Sequence, residues 1–136
     1  MAAIHIERVQ VEQGVCNAVV VGEFELTLAE QQFIQLINEA VHKGATKVLI
    51  DGRKVTGHPS AFERFLYGTF IALATLEVLQ RHSARLKFAY VIHNPLLDPG
   101  RFAESVAVNR GMDVKAFDDE NEAREWLMGE SGAAAA

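Results

Sequence analysis

Apolar positions in the first segment, "IHIERVQV" at 4–11, fall near a two-residue period. Ile4 and Ile6 are in phase, then Val9 and Val11, so the pattern predicts a strand bulged in its middle. "EQG" turns the chain, and "VCNAVVVGEFEL" predicts a longer strand over 15–26. A link this short implies an antiparallel hairpin. The period then changes. Phe33, Ile34, Ile37, Ala40 and Val41 share one helical face, with Gln31, Gln32, Gln35, Asn38 and Glu39 largely opposite. "TLAE" sets Glu30 three residues after Thr27, the capping-box spacing, so a helix is expected from Thr27 to the stop at Gly44. "KVLID" at 47–51 is a short apolar run between polar turns and reads as a central strand. Strand, crossover helix and next strand imply a right-handed parallel unit.

"SAFE" at 60–63 is a second capping box, and it opens a helix predicted to run from Ser60 to about His82. "LKFAYVIH" is the next strand and "NPLLDPG" a loop. A helix over 101–110 is stopped by Gly111, and "DVKAF" is a last strand. Asp118 or Asp119 caps a final helix that ends near Leu127. The order β-β-α-β-α-β-α-β-α specifies an α/β domain. Its sheet is five-stranded, mixed and mostly parallel, with an N-terminal antiparallel hairpin and four helices. Residues 1–128 read as one domain and "GESGAAAA", 129–136, as a disordered tail.

The long helix is apolar around most of its circumference. Phe62, Phe65, Leu66, Thr69, Leu73 and Leu76 make one stripe, expected against the sheet. Tyr67, Ile71, Ala74 and Val78 make another on roughly the opposite face, and Gly68, Ala72 and Thr75 a third that is small rather than charged. A surface helix keeps a polar back, so something covers this one. Another helix of the domain, a second subunit in a homodimer, or an apolar ligand would each serve. The Tyr67, Ile71, Ala74 and Val78 face is the expected site for the last two.

Composition narrows the class. Of 136 residues, 49% are hydrophobic and 23% charged, which fits a globular domain. A net charge of −5 argues against a grip on nucleic acid, because phosphate binding needs a clustered basic face. The lone Cys16 permits no internal disulfide and no thiolate metal cluster. "FLYGTFIALATL" is too short for a membrane span of about 20 residues. "MAAIHIERVQ" lacks the basic and apolar stretches of a secretory signal, so the expected compartment is the cytoplasm.

Candidate chemistry concentrates in "IDGRKVTGHPSAFERF" at 50–65. Asp51, His58 and Ser60 are the residue types of a hydrolytic triad. His58 and Ser60 stand too close along the chain, however, and no G-x-S-x-G elbow precedes the helix. Asp51 ends a parallel strand, where open α/β sheets gather ligands and where a carboxylate commonly tethers loop N–H groups. The histidines at 5, 42, 58, 82 and 93 show no metal spacing, and neither phosphate-loop nor dinucleotide glycine motif occurs. No enzyme activity, metal or cofactor is expected. Ser60 is explained first as a helix cap, and the same geometry also offers a place where a phosphoryl group would meet free helix N–H groups. Arg53, Lys54 and Arg64 would partly neutralise that group, and Glu63 would oppose it.

The order of elements, with "KVLIDGRKVTGHPSAFERF" and "RFAESVAVNRGMDVKAFDDENEAREWL", resembles the SpoIIAA-like proteins, relatives of the anti-sigma-factor antagonist (STAS) domain, from about Ile4 to Leu127. The resemblance implies a β-α superhelical sheet and a serine, at the start of the helix after the central strand, whose phosphorylation controls a protein partner. Ser60 stands nearest that position, although "HPSAF" lacks the aspartate that usually precedes the family's serine. The implied surface is Ser60 with Asp51, Arg53, Thr56, His58 and Arg64. The SpoIIAA-like group is also similar in fold to CRAL-TRIO (Sec14-like) lipid-binding domains, which implies a lipid-like apolar ligand as the alternative.

Overall fold

Period-two alternation in the strands and helical stripes between them build a layered molecule. The computed structural model describes residues 2–83, 85–97 and 101–129. Residues 98–100 of the expected loop and 130–136 of the expected tail lie outside the described residues. Strands β1 (His5–Glu12), β2 (Val15–Glu23), β3 (Lys47–Thr56), β4 (Lys87–Val91) and β5 (Val114–Phe117) form a sheet in the order β1-β2-β3-β4-β5. Helices α1 (Leu26–His42), α2 (Ala61–His82), α3 (Phe102–Asn109) and α4 (Glu120–Met128) follow β2, β3, β4 and β5. β1 and β2 pair antiparallel, and the remaining neighbours are parallel. The expected five-stranded mixed sheet with four helices is what the chain forms. The β1 bulge falls between Ile6 and Arg8, where the apolar phase slips.

Each central strand is apolar on both sides because both faces are covered. Cys16, Ala18, Val48, Ile50 and Phe88 face α1, α2 and α3, while Leu49, Ala89, Val91 and Phe117 face α4. α4 lies over β3, β4 and β5. On that side the edge strand β1 shows Arg8, Gln10 and Glu12, and a polar recess remains beside α4.

Three local expectations are corrected. The α1 cap is Glu25, whose carboxylate accepts from Thr27 and Leu28 N–H at 3.0 and 3.2 Å, so the helix begins before Thr27 and the "TLAE" box does not form. The end of α1 is as read: Gly44, at φ +75°, lets Ala45 N–H reach the Ala40 carbonyl at 2.8 Å. β3 continues to Thr56, because after a second bulge Lys54, Val55 and Thr56 pair with Val21, Gly22 and Glu23.

The third correction concerns α2, whose inward stripe is not the one expected, while Phe65, Leu66 and Thr69 of the expected stripe are half-buried. Ile71, Ala74 and Val78 are buried in the core with Tyr67 packed against it, so this face meets the sheet layer and cannot be a subunit surface. Phe62, Leu73 and Leu76, expected against the sheet, are exposed at 68%, 56% and 47%. The small face is covered within the domain. Gly68 lies so close to α3 that a β-carbon there would stand 2.6 Å from the Ala103 carbonyl oxygen. Ile34 of α1 sits at the rim rather than in the core.

Candidate functional site

The end of β3 delivers the chain to the start of α2, and there the expected cap forms. Ser60 adopts extended backbone and its Oγ accepts from Glu63 N–H at 3.1 Å. Glu63 Oε1 accepts from Ser60 N–H at 2.9 Å, closing the capping box. Ser60, His58 and Thr56 are exposed. The hydroxyl thus stands at the solvent-facing, positively polarised end of a 22-residue helix. A phosphoryl group on it would compete with the Glu63 carboxylate for the same N–H groups.

The other candidates divide between the two sides of the sheet. Asp51 shares the α4 side with Leu49, two residues before it on the strand. Its carboxylate accepts from Arg53 N–H at 3.2 Å, Nε at 2.9 Å and Nη2 at 2.7 Å. The same guanidinium reaches Glu120 at 2.9 Å, and Glu120 takes Arg124 Nε at 2.7 Å. Arg53, hydrogen-bonded to Asp51, holds that carboxyl below the usual range, and Asp51 in turn raises the guanidinium. The chain of alternating charges ties β3 to α4, which explains Asp51 and Arg53 without any catalytic role. No hydrogen bond joins His58 to Asp51 or Ser60, so the triad types do not assemble among the described residues. No group of three His, Cys, Asp or Glu side chains suited to a metal ion occurs among them either.

Arg64 turns to the opposite side. Its guanidinium donates to the Leu96 and Pro95 carbonyls at 2.8 and 2.7 Å, locking the loop after β4 onto the first turns of α2. Beside it opens a cavity of about 140 Å³, walled by the sheet and by α1, α2 and α3. Pro59, Tyr67 and Ile71 belong to its lining, whereas Ala74 and Val78 pack farther along the core. The Tyr67 and Tyr90 hydroxyls meet at 3.0 Å in this wall. Tyr67 and Ile71 belong to the face expected to meet a subunit or an apolar ligand, whereas periodicity along α2 places that face away from the sheet.

Burial pushes the Tyr67 phenol from 10.0 up to about 12, and burial likewise raises Tyr90 well above its ordinary value. In the unfolded chain tyrosine ionises near 10, whereas folded Tyr67 keeps its proton to about 12. The resulting stabilisation is complete below pH 10 and is lost as pH rises through about 12. Urea midpoints measured across this window are expected to fall less steeply for Tyr67→Phe than for the unmodified chain. Equal slopes would remove Tyr67 as the cause.

A mixed sheet opened by an antiparallel hairpin, with a helix after each of β2, β3, β4 and β5, is a fold already met in solved structures. The solved structure that makes the likeness concrete is the crystal structure of an anti-sigma factor antagonist from Mycobacterium paratuberculosis. It matches with a TM-score of 0.59 at 18% sequence identity, covering 93% of this chain and 96% of that one. At this identity the match establishes a common fold, which is the fold the sequence resemblance implied. No family model matches the chain, and no curated protein does. No helix among the described residues is long and apolar enough to cross a membrane.

Proposed function

We propose that this chain is a non-enzymatic, cytoplasmic regulatory module of the anti-sigma-factor-antagonist type that works by binding a protein partner. Its docking point is the 52–60 segment with the first turn of α2, and Ser60 is its switch. One observation carries this reading: in a fold shared with an anti-sigma factor antagonist, an exposed serine hydroxyl caps the helix after the central strand. Phosphorylation would bring roughly −1.5 to −2 charge to that tip and displace Glu63, altering the surface offered to a partner while leaving the core untouched.

The test uses the unmodified chain, Ser60→Ala and Ser60→Asp as bait in native lysate of the source organism. A partner held by the first two and lost by the third is the expected result. Urea unfolding separates this from simple cap loss. Ser60→Ala should lose about 1 kcal/mol, whereas aspartate still caps and should stay near the unmodified value. Identical partner sets for all three would remove the switch, and an empty set would remove the docking point.

A second reading is favoured by the cavity beside Tyr67: the chain carries a small apolar molecule. At about 140 Å³ the space suits one ring or a short chain, which narrows the lipid-like ligand expected from sequence. A homodimer formed through α2, in turn, would use the outward stripe of Phe62, Leu73 and Leu76, since the Ile71 face is occupied by the core.

A further inference from the structure

The cavity has a chemistry that the carrier reading leaves unspecified. Most of its wall is hydrocarbon, from Ile4, Val20, Phe33, Leu36, Ile50 and Ile71. The space is partly open and water inside it finds few polar partners, so an apolar guest of about benzene size gains by displacing that water. The charged groups in the wall are already engaged. Arg64 donates to two carbonyls, and Glu104 accepts from Ala116 N–H at 2.9 Å. One cation and one anion face the space, so an ionic guest would gain from one and lose to the other.

The Tyr67–Tyr90 pair is different. Two hydroxyls carry two hydrogens, and the contact at 3.0 Å consumes only one. No other protein acceptor for the second is found among the described residues. Both tyrosines are half-buried, and a donor withdrawn from bulk water without a protein partner costs free energy that a bound acceptor would recover.

We propose that the cavity between the sheet and α1, α2 and α3 binds a neutral, ring-sized apolar molecule whose single acceptor atom takes the spare hydroxyl hydrogen of the Tyr67–Tyr90 pair. This rests on the carrier reading above and adds the recognition element. Pro59 and Arg64 also border the space, so a guest would touch the segment leading into Ser60.

Acetophenone and ethylbenzene have nearly the same shape, but only the ketone has an acceptor. Titrated into the isotope-labelled full chain, both are expected to shift the amide signals of Ile71, Ala107 and Val114. Acetophenone should bind roughly five- to tenfold more tightly, the worth of one net hydrogen bond. Tyr67→Phe or Tyr90→Phe alone leaves one donor in place. The double variant Tyr67→Phe/Tyr90→Phe removes both, and should bring acetophenone down to the ethylbenzene level or below it, because the ketone then gives up its water without gaining a donor. Equal affinities in the unmodified chain would overturn the recognition element and leave the carrier reading standing. No shift with either probe would overturn both. Should the double variant fail to fold, the affinity ratio in the unmodified chain decides alone.

Discussion

Ile71→Glu is expected to unfold this chain rather than to split an oligomer. Ile71 is only 3% exposed, on the face of α2 that meets the sheet layer. Arg64, the cation that borders the same space, already donates to the Leu96 and Pro95 carbonyls, so a carboxylate at position 71 must break that tie, bind a proton or drag water into the core. Leaving a buried charge uncompensated costs about 3–5 kcal/mol, a large share of the stability of an ordinary domain. Loss of the cooperative urea transition, or a midpoint lowered by that amount, is the expected reading. A variant that unfolds like the unmodified chain would show that this face is not core. Leu73→Glu is the matched control. At 56% exposure the new charge is solvated, so stability should move by no more than about 0.5 kcal/mol. Should two copies meet through the outward stripe, light scattering would find twice the monomer mass for the unmodified chain and the monomer mass for Leu73→Glu. A monomer in both cases would end the dimer.

Gly68→Val should produce the next largest effect. The two helices α2 and α3 approach at this glycine, where an added β-carbon would stand 2.6 Å from the Ala103 carbonyl oxygen and 3.1 Å from Val106 Cβ. The first of these neighbours is backbone and cannot rotate aside, so α3 must be displaced bodily. Overpacking of this kind costs about 1–3 kcal/mol, and valine recovers little of it through helix propensity. A second consequence follows from α3 being a wall of the cavity. Moving it outward widens the space, so ethylbenzene should bind Gly68→Val differently from the unmodified chain even where both are folded. Unchanged stability in urea would show that the helices are not in contact at Gly68.

The elements readable from the residue order are those whose causes are local. Ser60 and Glu63 are three positions apart, and one hydroxyl with one carboxylate completes their box. Gly44 needed only its own left-handed backbone to end α1. Reading α1's start at Thr27 failed because Glu25, two residues earlier, also reaches the first-turn N–H groups, and two adjacent candidates compete for one set of donors. β3 looked short because its continuation, "GRKVT", is not an apolar run. Its strand geometry comes from pairing with β2 across a bulge, a partner lying more than thirty positions away.

The candidate site was legible in the same measure. Its helix tip belongs to one stretch of chain and could be read directly. The division of Asp51 and Arg53 from Ser60 could not, since Arg53 reaches Glu120 across a separation of 67 residues. Nor could the tyrosine pair, which joins α2 to β4.

Residue order was enough to specify the succession of strands and helices, the central place of the strand at 47–51 and the serine at the mouth of α2. Short-range spacing governs all three. Which stripe of α2 turns inward, which charges neutralise one another, and that a hollow survives in front of Tyr67 and Tyr90 were settled by assembly. Helical periodicity marks apolar faces without saying which neighbour each will meet, and a cavity is a property of several elements packed together, never of one.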